Sequence, residues 1–232
     1  MSVFTPVIIL VLAMLIQGSL QLSPGIFSIF YHSALAKKSA KKADDLSLSF
    51  ILGVETFLTA MLLFIFQIVN FLLLILIDPA VFYWTFAGIF FAEAIIVFCV
   101  YFRKSPATTL FIPRRIARNY QTYAASAKTR RDTFLLGFFS GIPELIFTFP
   151  LFILLAFITS FTPELSSSLS FIPYIIIAVV PLFTIRTLFR SGLNLASITR
   201  LRTKFKPLIR LILALSYLFI AICLIYLGVT NG

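Results

Sequence analysis

The sequence predicts an all-helical, polytopic membrane protein: six transmembrane helices forming two inverted three-helix repeats, with both termini on the extracytoplasmic side. Three observations predict it. The 232 residues are 60% hydrophobic and only 12% charged, about half the charge fraction of an average soluble domain. The chain contains six apolar runs, each long enough to cross a bilayer, for which roughly 18 to 20 residues suffice. All 19 lysines and arginines fall in or beside three of the gaps between those runs. A soluble fold of this composition would lack the polar groups to cover its surface, so a single transmembrane domain spanning 1–232 is expected.

The first run, 4–36, is too long for one straight crossing, and a bend or re-entrant break at Ser23-Pro24-Gly25 would accommodate it. No basic residue precedes its apolar core, and four lysines follow at 37–42. That pattern reads as a retained span rather than a cleaved signal. The second run, 46–77, starts after KKSAKKADD and stops at Asp78-Pro79. The third, 80–102, leads into a long polar loop, 103–133. Within that loop, 113–131 fits either a basic amphipathic helix on the inner leaflet or a solvated topogenic loop. The fourth run, 134–161, ends at TPELSSSLS (162–170). The fifth, 171–189, is the weakest, because it contains Pro173, Pro181 and Arg186. The sixth, 208–229, follows the basic stretch 190–207.

Basic segments resist translocation, so the gaps at 37–45, 103–133 and 190–207 are expected on the cytoplasmic side of the cell membrane. The intervening loops and both tails carry no Lys or Arg. This alternation requires an even number of spans between successive basic loops, which independently supports six. The net charge of +11 would suggest nucleic-acid binding in a soluble protein. Here the charge is confined to gaps between apolar runs, and no nucleic-acid partner is expected.

The first and fourth runs share G-x5-P: Gly18 to Pro24 and Gly137 to Pro143, offset by 119 positions. Two repeats follow, 1–102 and 134–232, joined by the basic loop. Each has three spans, so the second enters the membrane from the opposite side. Many transporters place a mid-membrane site at the broken helices of such repeats. Proline lacks an N–H and frees carbonyls that need partners. At helical rise, Pro24 lies roughly 18 Å from the inner boundary and Pro143 roughly 14 Å.

SPGIFSIFYHSALAKKSAKKADDLSLSFILG (23–53) resembles the first hairpin of the lysine-exporter (LysE) superfamily and its RhtB and CcdA relatives. That hairpin has a Pro-Gly in the first span, a basic loop and a glycine some thirty residues on, here Gly53. FLLGFFSGIPELIFTFPLF (134–152) is similar to the opening of the family's second half. The resemblance implies a six-span exporter with its site between the two proline segments. There are departures: Ile26 stands where amino-acid exporters show a second proline, and Ile142-Pro143 replaces Asn-Pro. Gly25 and Glu144 stand where the thiol-relay members carry cysteines, so a CcdA-like redox relay is not expected.

Three acids remain within the runs: Glu55, Glu93 and Glu144. An ionisable group at that depth costs about 3 kcal/mol, so each needs a reason. Glu144 follows Pro143 directly and would either carry a proton or neutralise a cationic substrate. Hydrogen bonding to a neighbouring helix explains Glu55 and Glu93 comparably well. Gln17 and Gln21, with Ser19 and Ser23, form a polar strip before Pro24 suited to a water-lined cavity or to interhelical hydrogen bonds. The candidate substrate- or proton-binding set is therefore Glu144, Pro143, Pro24, Gly25, Gln21, Gln17, Glu55 and Glu93.

His32 is the only histidine, and Cys99 and Cys223 lie in separate apolar runs, so neither a metal site nor a disulfide framework is expected. No nucleotide loop, catalytic triad or HExxH motif is present, and no enzymatic reaction or cofactor is expected. The expected function is secondary transport, as a proton-coupled exporter of an amino acid or small cation. The alternative is a non-transporting membrane scaffold or accessory subunit. The expected partners are the lipid bilayer and the solute, with a homodimer left open.

Overall fold

A computed structural model of the chain describes residues 4–20, 22–37, 39–73, 78–101, 119–120, 122–124, 126–161 and 171–230. Within them the elements are α1 (Phe4–Ser19), α2 (Leu22–Lys37), α3 (Ala40–Ile68, continued by a π-helical turn Val69–Leu73), α4 (Pro79–Tyr101), α5 (Arg130–Ser140), a 3-10 turn (Ile142–Glu144), α6 (Leu145–Phe161), α7 (Ile172–Arg190) and α8 (Leu195–Thr230). No strand occurs among the described residues. Five helical segments are long and apolar enough to cross a membrane: Phe4–Ala36, Ala40–Phe71, Pro79–Cys99, Ile172–Arg190 and Thr203–Thr230. Arg130–Glu144 and Phe147–Ser160, bent by 86°, supply a sixth when taken as one broken span. The chain is a multi-pass membrane protein.

Two of the sequence boundaries shift. The first helix of the first run ends at Ser19, ahead of the break expected at Ser23-Pro24-Gly25, and α2 begins at Leu22. Pro24 is the cause: its ring clashes with the carbonyl four residues back, that of Leu20, so the helix cannot run through. Pro24 itself sits in the first turn of α2, where its missing N–H has no helical role. The basic stretch before the sixth run is not a loop throughout. From Leu195 onward it forms the first turns of α8, which continues through Pro207 to Thr230. The weak fifth run is an uninterrupted helix despite Pro181.

The core is built round α6. Leu151, Phe152, Leu154, Leu155, Ala156 and Phe157 are almost wholly buried, as expected of a helix apolar on every face. Phe157 stacks on Phe82 of α4 and meets Tyr83 edge-on. α4 lies antiparallel along α8, with Phe90 stacked on Tyr217 and Trp84 against Gly228.

α3 and α5 cross at backbone contact. A Cβ on Gly53 would strike the Phe134 carbonyl oxygen and lie 2.9 Å from the Phe138 nitrogen. A Cβ on Gly137 would strike the carbonyl oxygen of Phe50. Small residues are what allow two helices in a membrane to approach this closely. The crossing is capped at the N-terminus of α5 by a reciprocal Thr129–Asp132 capping box.

The basic helix ends gather at one end of the bundle. Asp44 of α3 accepts from Arg186 Nε at 2.8 Å and Nη2 at 2.6 Å, and from Arg190 at 3.1 Å. Its neighbour Asp45 pairs with Arg130 of α5 at 3.0 Å. These two adjacent acids tie α3 to α7 on one side and to α5 on the other.

Candidate functional site

The two proline segments meet. The break between α1 and α2 lies against the break between α5 and α6, joining residues 117 to 121 positions apart. Each break leaves backbone groups that need partners, and the partners explain the site.

At the second break, Pro143 has no N–H to give the Phe139 carbonyl, and the Tyr120 hydroxyl donates to that oxygen at 2.7 Å. The N–H of Glu144 turns to Gly141 instead of completing an α-helical bond to Ser140. The Ser140 carbonyl is then approached by the Ser23 hydroxyl at 3.5 Å. At the first break, the opening N–H groups of α2 lack helical acceptors. Glu144 supplies one: its Oε1 accepts from the Ser23 N–H at 3.0 Å and its Oε2 from the Ser23 hydroxyl at 3.3 Å. Ser140 Oγ lies 3.2 Å from Ser23 Oγ and donates alternatively to the Gly137 carbonyl at 2.6 Å.

Glu144 therefore caps a helix in the other half of the chain. A carboxylate at a helix N-terminus also meets the positive end of the helix dipole. Ser23, Ser140 and Glu144 are all buried, Glu144 at 8% exposure. The Thr148 hydroxyl donates to the Glu144 carbonyl at 3.1 Å. One turn further, the Tyr217 hydroxyl donates to the Phe147 carbonyl, next to the turn that Pro150 loosens.

Gln17 is buried at the end of α1, where its Oε1 accepts from the Tyr174 hydroxyl at 2.7 Å. Through this bond Gln17 ties the end of α1 to α7. Pro24 and Gly25 open α2 just beyond Ser23, and Pro143 forms the turn before Glu144. Gln21 lies outside the described residues. Because α1 ends at Ser19, Gln17 and Pro24 belong to two helices and do not share one continuous face.

The other two acids lie on α3 and α4. Glu55 is half-buried in α3 and makes no hydrogen bond or ion pair among the described residues. Glu93 is 9% exposed in α4, and its Oε2 has no hydrogen-bond partner among the described residues. Neither is hydrogen-bonded to the Ser23–Glu144 junction. No group of three His, Cys, Asp or Glu side chains clusters among the described residues.

Reading the residues in order misses Ser140 and Tyr174. Ser140 directly precedes Gly141-Ile142-Pro143-Glu144, and a hydroxyl beside a proline break was the available signal. Tyr174 carried none, because its role depends on where α7 lands. No protein-family model, curated protein or solved structure matches the chain.

Proposed function

We propose that the chain is a proton-coupled secondary transporter, an exporter of an amino acid or small cation of the lysine-exporter type, and that the Ser23–Glu144 junction is its closed gate. The observation that carries this reading is the 3.0 Å hydrogen bond by which a carboxylate at one broken helix caps the other. With Glu144 ionised, both oxygens accept and the breaks are held together. Protonation removes an acceptor and the attraction to the α2 dipole, so the two halves part and the carboxylate of an amino-acid solute takes the vacated donors. Rebinding of α2 on deprotonation resets the gate.

The helix pairing supports two related halves. Exchanging α1–α4 with α5–α8 maps the α1–α7 contact onto α5–α3, α2–α7 onto α6–α3 and α1–α6 onto α5–α2, while α3–α7 and α4–α8 map onto themselves. Among the described residues the α1–α8, α2–α3 and α7–α8 packings lack comparable α5–α4, α6–α7 and α3–α4 partners, so the halves differ there. In this reading the basic end faces the cytoplasm of a cell membrane and both termini face out.

The test is flux in proteoliposomes carrying a pH gradient, screened with amino acids and small cations and read by internal pH and solute release. Glu144→Gln should insert normally and abolish coupled flux; wild-type flux in that variant would overturn the gate. The scaffold reading has its own support, since both oxygens of Glu144 are already satisfied within the protein. It expects no solute movement in the wild type and only a stability loss in the variant.

A further inference from the structure

At the basic end, the N-termini of α3 and α5 open onto a cleft of about 480 Å³ lined by Ser39, Lys41, Lys42, Asp45, Lys128 and Arg130 with Leu46 and Thr129. That volume is in the range that holds a small ligand, roughly 300–1,000 Å³. Its lining has four cations from two stretches of chain some 85 residues apart, and one carboxylate, Asp45, which Arg130 already engages. A second carboxylate nearby, Asp132, is committed to the N–H groups of Lys128 and Thr129. Like charges crowded round one space repel, and an anion placed among them relieves that repulsion.

The backbone adds to the same field. Ser39 caps Lys42 N and Thr129 caps Asp132 N, leaving the first two N–H groups of each helix without acceptors in their own helix. Four cationic side chains thus line one space, with two helix N-termini beside it.

We propose that this cleft binds a phosphate group, carried by the headgroup of an anionic phospholipid or free in solution. Lys41, Lys42 and Lys128 supply the charge, and the Asp45–Arg130 pair keeps the two helix ends at a fixed spacing. A bound phosphate would bridge the first half to the second beside the Asp45–Arg130 pair. The proposal does not rest on transport, since its readout is binding.

The test uses the full chain in neutral detergent, titrated separately with short-chain phosphatidylglycerol, short-chain phosphatidylcholine and inorganic phosphate, with thermal shift and native mass spectrometry as readouts. Phosphatidylglycerol is expected to stabilise the protein and phosphatidylcholine is not. An equal effect of inorganic phosphate assigns the site to the free anion, and its absence assigns it to the lipid. The triple variant Lys41→Gln/Lys42→Gln/Lys128→Gln should weaken binding at least tenfold, and Lys41→Arg/Lys42→Arg/Lys128→Arg should retain it. No binding of either phosphate probe by the wild type, or equal binding by the glutamine variant, would overturn the site.

Discussion

Gly53 and Gly137 each lie against the other helix's backbone: a Cβ on either one would occupy the place of a carbonyl oxygen, that of Phe134 or Phe50. The relationship is reciprocal, and no rotamer change relieves it, because the obstacle is main chain. Gly53→Ala and Gly137→Ala should each force α3 and α5 apart and cost about 1–3 kcal/mol, the range for overpacking. Gly141→Ala meets only the Phe57 ring and should cost less. Gly88→Ala meets nothing within 4 Å and is the control, expected to be neutral or slightly stabilising. Melting temperatures in detergent check the order; a Gly53→Ala protein as stable as Gly88→Ala would contradict it.

The two aspartates at the basic end should respond unequally. Asp44 receives a two-point contact from Arg186, with side chains only 19% and 13% exposed. Asp45 and Arg130 are 44% and 73% exposed. Asp44→Asn should therefore lose about 1.5–3 kcal/mol, as for a hydrogen bond to a charged group. Asp45→Asn should lose under about 1 kcal/mol, and less at high salt. Arg186→Lys should not substitute, because a single ammonium cannot reproduce the fork. Chemical denaturation at two salt concentrations separates these outcomes.

Glu93 is expected to be a stability defect within α4. Its Oε2 is buried and has no partner among the described residues, a condition that costs about 1–3 kcal/mol. Glu93→Leu should raise the melting temperature while leaving solute flux unchanged. A fall in flux at unchanged stability would instead add Glu93 to the working site.

Two tyrosine hydroxyls serve the broken region. Tyr217→Phe removes the donor to the Phe147 carbonyl, and Tyr174→Phe leaves the Gln17 amide oxygen buried without its donor. Each change should cost about 1–2 kcal/mol. Tyr174→Phe should in addition alter proton-coupled flux, because it loosens the end of α1 that leads into the Ser23–Glu144 junction, whereas Tyr217→Phe should not. Parallel stability and flux measurements on the two variants check the split.

Much of the architecture was legible in order along the chain. The apolar runs were visible because a bilayer demands about 20 apolar residues per crossing. The proline segments were visible because proline has one local consequence, a lost N–H. The break in the first run fell a few residues early, because the clash acts on the carbonyl four residues back from Pro24 and not on Pro24 itself. The start of α8 was hidden since Arg200, Arg202, Lys204 and Lys206 read as a loop by charge alone. A helix end projecting beyond the apolar span accommodates them equally well.

By itself the sequence determined the membrane class, the approximate spans, the segregation of every basic residue into three gaps, and the two places where helices must break. Each of these follows from local chemistry: apolar length, charge, or a missing N–H. Only the tertiary structure decided that Glu144 caps α2 through Ser23, that Gly53 and Gly137 each meet the other helix's backbone, and that Glu55 and Glu93 make no hydrogen bond to that junction. Those are relations between residues tens to more than a hundred positions apart. They are set by how helices pack, so no periodicity within a single run encodes them.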